Sequence, residues 1–255
     1  MPNLKLEMRH LEAGHVVVAG SDEVGRGALG GPVTAGVVVV DTSTGRQPGG
    51  LRDSKLLTPE QREALVPRIE RWALAWGVGH ASASEIDEIG ILRALRLAGE
   101  RALRRLPDQP DLVILDGNYD WFRRPARCES GLSCPSAQRV ELKVKADLYC
   151  SSVAAASVLA KVARDQIMRE MSVDYPDYGW FENKGYATPT HMEALRTLGP
   201  CPEHRLSWRL GGEQQLFSIE ELDEIPLNDA ALDAAVDDHM ALSAGKSRGT
   251  SSETL

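Results

Sequence analysis

Asp22 and Glu23 stand side by side at the end of an apolar run, with Gly25-Arg-Gly27 immediately after them. Two adjacent carboxylates there are costly to desolvate unless an opposite charge joins them. Mg²⁺ and Mn²⁺ prefer carboxylate oxygens and are suited to the task. The plainer alternative is a solvated turn pair. The glycines and arginine that follow let backbone approach a ligand closely and turn N–H groups toward phosphate. A third acid, Asp116, ends the run DLVILD, and a fourth, Asp147, opens a long helical stretch. Either alone fits a turn residue or a helix N-terminus. Together, acids at strand ends and a helix start can converge on one sheet edge. Several carboxylates holding paired divalent cations would suit hydrolysis of an anionic phosphodiester. Asp165 lies about 27 Å further along the helix at 1.5 Å per residue and is expected to be a surface partner for arginine or lysine.

Other residues compete for attention. Gly25-Arg-Gly-Ala-Leu-Gly30 has the spacing of a dinucleotide-binding turn, but Gly31-Pro32 and a β-branched run follow it. That turn needs a helix at its glycines, so the reading is rejected. Lys55, Lys145 and Lys184 suit phosphate contacts, which position without reading sequence. Arginines at 93–105 and 123–127 extend a basic groove or line a solvated face. Tyr186 offers either a flat face for a sugar or base, or a core-edge aromatic. His191 and His204 fit phosphate contact, proton transfer or a structural role. Cys128, Cys134, Cys150 and Cys201 match no standard zinc spacing.

The elements that would position these groups are readable. Residues 15–20 and 33–40 are β-rich apolar runs joined by a glycine-dense turn, so adjacent antiparallel strands are expected. If both Asp22 and Glu23 reach one ion pair, the first strand must bulge or end there. Thr58-Pro-Glu-Gln61 is a capping box that starts a helix to about Trp72. A third strand is expected at 74–82, then a helix capped by Ser84 running to Leu106. Strands follow at 111–116 and 139–145, a long Ala/Ser-rich helix at 148–171, and short helices near 190–198 and 202–207. The order implies an α/β fold, a mixed sheet with helices on its faces.

The chain has 255 residues, 42% hydrophobic and 26% charged, an ordinary globular composition. No apolar run approaches a membrane span and no signal peptide is readable, so a cytoplasmic location is expected. The net charge of −8 is misleading about nucleic acid. Residues 211–255 hold ten acids and two bases, leaving 27 of each in 1–210. A neutral body can carry a local basic groove. Two parts are therefore expected: a catalytic domain at 1–210 and an acidic, largely disordered tail at 211–255.

Asp22-Glu-Val-Gly-Arg-Gly27 resembles the DEVGRG signature of bacterial ribonuclease HII, the type 2 ribonuclease H family. The resemblance continues through Asp53-Ser-Lys-Leu56, Leu115-Asp-Gly117, Ala154–Lys161, Asn183-Lys-Gly-Tyr186 and Leu198–His204. It covers about 14–210 in the right order. It implies a ribonuclease H-like fold, a five-stranded mixed sheet flanked by helices, with a small C-terminal helical segment. The implied activity is Mn²⁺- or Mg²⁺-dependent hydrolysis of RNA in RNA–DNA hybrids, including single ribonucleotides in duplex DNA, giving 5′-phosphate and 3′-hydroxyl ends. It implies Asp22, Glu23 and Asp116 as metal ligands and Asp147 as the fourth catalytic acid. Gly25, Arg26 and Gly27 match the segment that reads the 2′-hydroxyl, Tyr186 the junction tyrosine, and Ser54, Lys55, Lys145 and Lys184 further substrate contacts. A monomer is expected, with no membrane partner. Gln215–Ile219 is faintly similar to sliding-clamp-binding peptides. Ala146 departs from the family's Lys-Gly-Asp; if that glycine needs positive φ, alanine would strain the backbone and displace Asp147. A related nuclease of branched DNA and a non-cutting hybrid binder are the rival readings.

Overall fold

The computed structural model describes residues 1–122, 139–208 and 210. Five strands, β1 (Val18–Val24), β2 (Val33–Val40), β3 (Ala75–Ala81), β4 (Leu112–Asp116) and β5 (Arg139–Lys143), form one mixed sheet in the order β3-β2-β1-β4-β5. β1 pairs antiparallel with β2 and parallel with β4, β2 antiparallel with β3, and β4 parallel with β5. The helices are α1 (Lys5–Glu12), α2 (Pro59–Trp72), α3 (Ala83–Ile89), α4 (Ile91–Leu103), α5 (Ala146–Tyr149), α6 (Ser151–Asp174), α7 (Trp180–Asn183) and α8 (Pro189–Leu198). This is the mixed α/β sheet that the order of apolar runs predicts.

All eight residues of β2 are buried, as its unbroken apolar sequence requires of a strand covered on both faces. On one face, Val38 packs with Ala154–Ala156 and Val158 of α6, backed by Leu65 and Ile69 of α2. On the other, Ala19, Val37, Val39 and Val113 pack on Ala102 and Leu103. The first ten residues of α6 are buried and mostly Ala or Ser, which brings helix and sheet backbones very close. A Cβ at Gly20 would sit 2.3 Å from the Val153 nitrogen, and one at Gly36 2.4 Å from the Ala156 carbonyl oxygen. The Thr58–Gln61 capping box starts α2 as predicted.

Several expectations need correction. The single helix predicted up to Leu106 is two, capped by a Ser82–Glu85 box and broken at Gly90, whose φ of 76° leaves the helical region. The long helix is also divided. Cys150 is extended because Asn3 pairs with the backbone around it, donating to Tyr149 O and accepting from Ser151 N–H. Asp147 therefore lies in the separate short turn α5. No helix forms at 202–207, where Gly30 and His204 bridge and Arg205 N–H donates to Leu29 O. β1 does not bulge at the acid pair, where its register with β2 is regular, and it ends at Val24, one residue beyond and just before Gly25. The expectations for 123–127, Cys128, Cys134 and the tail 211–255 lie outside the described residues. Among the described residues no helix is long and apolar enough to cross a membrane.

Candidate active site

The β1–β4 ladder closes at Ser21 opposite Leu115. One step further in the same register, Asp22 stands beside Asp116. Side chains two apart on a strand share a face. The open side of Gly20 faces Ser152 and Val153 at the start of α6, so Asp22 projects toward that layer too. There the turn α5 delivers Asp147. One carboxylate oxygen from each of Asp22, Asp116 and Asp147 lies within 4.8 Å of the others, the only such group of potential ligands among the described residues. Asp116 Oδ1 accepts from the Ala146 N–H at 2.6 Å, which ties the end of β4 to α5. The left-handed residue is Lys145, at φ 58°, while Ala146 is helical and buried. Alanine at 146 is therefore unstrained, and Asp147 is not displaced.

Glu23 does not join this group of three. Strand alternation directs it away from the α6 layer, and its carboxylate lies 3.9 Å from Arg26. It remains within electrostatic reach of Asp116.

The acids are poorly compensated. Burial, then the charges of Glu23 and Asp116, pushes Asp22 well above the usual carboxylate range. Burial also raises Glu23 and Asp116. Asp147 is pushed up to about 6 by burial, Asp116 and Asp53. The nearest cation is Lys55, whose Nζ is 3.7 Å from Asp147 Oδ2 while its side chain is 75% exposed. Burial lowers Lys55, but Asp22, Asp53, Asp147 and Asp116 together outweigh it and hold its pKa up. One exposed ammonium cannot neutralise three carboxylates of which two are buried and the third half-buried. An all-oxygen donor set with excess negative charge fits Mg²⁺ or Mn²⁺, and it lacks the nitrogen and sulfur ligands usual for zinc.

The other candidates are distributed unevenly. Gly25 has φ 87° and is buried, and Arg26 and Gly27 are half-exposed. Arg164 lies 5.5 Å from the centre of the half-buried Tyr186 ring. Lys145 is exposed, and Lys184, also left-handed at φ 52°, donates to Phe181 O. Ser54 is 3% exposed, its N–H bonded to Ser157 Oγ. His191 and His204 are fully buried and joined Nε2 to Nε2 at 3.0 Å, and Trp180 Nε1 donates to His191. Their role is structural. Asp165 does pair with Lys161 and Arg62, but it is buried, since α2 covers that part of α6. Arg101 and Arg104 pair with Glu85 and Glu100 from partly exposed positions, the solvated-face alternative, while Arg96 pairs with the buried Glu100 where both side chains are largely covered. Burial pushes the Cys150 thiol up to about 12.

Sequence reasoning missed Asp53, Arg164 and Arg205. Asp53 is buried, caps the turn at Ser54–Leu56 and adds charge to the acid group. Its Asp-Ser-Lys context was visible as an N-cap signal.

A family model for ribonuclease HII matches residues 19–210. The chain belongs to the ribonuclease HII family. It is similar to ribonuclease HII of Streptomyces coelicolor, 48% identical over 195 residues, which cover 76% of this chain and 78% of that protein. It is 45% identical to that of Paracoccus denitrificans over 207 residues, 81% of this chain and 91% of the relative. Among solved structures, ribonuclease H2 from Pyrococcus horikoshii OT3 superimposes with a TM-score of 0.58 at 29% identity, covering 76% of this chain and 95% of that one. Ribonuclease HII is a divalent-metal-dependent endoribonuclease that hydrolyses RNA in RNA–DNA hybrids. The fold implied by the sequence motifs is the one observed.

Proposed function

We propose that this ribonuclease HII cuts the 5′ side of a ribonucleotide, including a single one embedded in duplex DNA, and leaves 5′-phosphate and 3′-hydroxyl ends. The observation that carries the reading is the close approach of Asp22, Asp116 and Asp147, the first and last buried and the group short of positive charge. In this reading Asp22, Glu23 and Asp116 hold Mn²⁺ or Mg²⁺, and Asp147 is the fourth catalytic acid. When bound, a pair of such ions lowers the pKa of water and stabilises the departing oxygen. The chain's own groups orient the substrate. Lys55, Lys145 and Lys184 hold backbone phosphates, together with Ser54 through its buried turn. Gly25, Arg26 and Gly27 present backbone to the 2′-hydroxyl, the group that separates RNA from DNA. Tyr186 stacks on the junction sugar. Residues 1–210 form the catalytic unit, acting as a cytoplasmic monomer, and the tail at 211–255 offers Gln215–Ile219 to a sliding clamp.

The test uses two DNA duplexes of one sequence that differ by a single 2′-hydroxyl. With Mn²⁺, the ribonucleotide duplex is expected to be cut once, 5′ to the ribose, and the all-DNA duplex left intact. Equal cleavage of both, or a cut dictated by branching, would contradict the reading.

A further inference from the structure

Arg164 and Arg205 are each fully buried, and among the described residues neither forms an ion pair. A buried guanidinium without a carboxylate is costly unless its donors are satisfied. Here the acceptors are backbone carbonyls. Arg205 donates to Gly25 O at 2.6 Å, Arg26 O at 2.8 Å and Gly31 O at 3.2 Å. Arg164 donates to Gly30 O at 3.1 Å, Pro32 O at 2.8 Å and Lys184 O at 2.9 Å. Burial, then Arg164, pulls Arg205 down to about 9. The two cations thus bear on one loop, Gly25–Pro32, from beneath.

This arrangement fixes the direction of the loop's amides. The described backbone holds no cis peptide bond, and in a trans peptide C=O and N–H point opposite ways. With the Gly25 and Arg26 carbonyls drawn in toward Arg205, the Arg26 and Gly27 N–H groups face outward. The Gly27 N–H has no partner among the described residues. We propose that Arg205 is a positioning residue that turns these amides toward substrate and so sets the preference for a 2′-hydroxyl. The proposal rests on reading Gly25–Gly27 as the ribose-contacting segment, and adds the group that orients it. Lysine cannot replace Arg205, because a single ammonium cannot span carbonyls that a planar five-donor fork reaches together.

The experiment compares wild type with Arg205→Lys and Arg205→Gln, binding the same two duplexes in Ca²⁺ to prevent cleavage. Each variant is expected to lose about tenfold of the ribose-over-deoxyribose preference, the equivalent of one hydrogen bond, while all-DNA affinity and Mn²⁺ affinity change by less than about twofold. An unchanged preference in a folded variant would overturn the proposal. So would an equal fall in affinity for both duplexes, the mark of a merely structural residue. If neither variant folds, wild-type NMR decides: an Arg205 guanidinium shift that accompanies the Gly27 amide shift only on the ribonucleotide duplex supports the proposal, and a Gly27 shift with Arg205 unmoved overturns it. A wild type with no preference refutes the underlying reading instead, which keeps the two failures apart.

Discussion

Asp116→Asn is expected to abolish Mn²⁺-dependent hybrid cleavage, with kcat down at least about 10³-fold, while hybrid affinity measured without turnover stays within about threefold. Metal-ion stabilisation of developing charge is worth several kcal/mol, and each 1.36 kcal/mol is tenfold in rate. Asparagine preserves shape and can still accept from the Ala146 N–H, so the change isolates the charge. The same substitution should raise the melting temperature of the metal-free protein near neutral pH. Asp147 has a folded pKa of about 6 against an ordinary 3.8, so the native state binds more protons between those values. Stability then falls as pH rises through that window. Asp116 is one cause of that elevation, and removing its charge relieves the penalty. Scanning calorimetry from pH 4 to 8 without metal reads the effect. A variant that cuts at wild-type rate, or one no more stable than wild type at pH 7, would remove Asp116 from its assigned place.

Gly20→Ala is expected to be strongly destabilising. An added methyl would meet the Val153 nitrogen at 2.3 Å and Ser152 Oγ and carbonyl carbon at 2.4 Å, mostly backbone that cannot rotate away. Overpacking of this kind costs about 3 kcal/mol, a fall in Tm of roughly 6–12 °C for a domain of this size. Gly45→Ala is the control, because no atom lies within 4 Å of its Cβ position and its φ is not left-handed. It should change stability by less than about 0.5 kcal/mol. Gly20 also sits two residues before Asp22 and against the segment that follows Asp147. Displacing α6 should therefore weaken Mn²⁺ binding along with stability. Titration calorimetry on both variants separates this from an independent, purely local cost.

Much of this arrangement could be read before any coordinates. Strands were legible where apolar runs were bounded by turns, as at Val33–Val40, and α2 where a capping box and proline marked its start. The convergence of Asp22 and Asp116 was expected from strand ends, and parallel register supplies the reason. What sequence hid is tertiary in origin. The break at Cys150 comes from pairing with Asn3, more than a hundred residues away, and no local propensity announces it. The 202–207 segment was expected to be helical but forms turns, tied to Gly30 at His204 and to Leu29 at Arg205. Arg164 and Arg205 carry no local signal, because burial of a charge depends on carbonyls supplied by distant loops. The separate setting of Glu23 follows from regular pairing through Val24, which alternates the two acids along β1 while leaving Glu23 within electrostatic reach of Asp116.

The central claim is that these acids hold paired divalent cations, and Mn²⁺ anomalous scattering from a crystal grown with that ion tests it most directly. Two peaks about 3.5–4 Å apart, contacting Asp22 and Asp116 with Asp147 and Glu23 alongside, are the expected result. Manganese bound elsewhere, with no density between Asp22 and Asp116, would contradict the account.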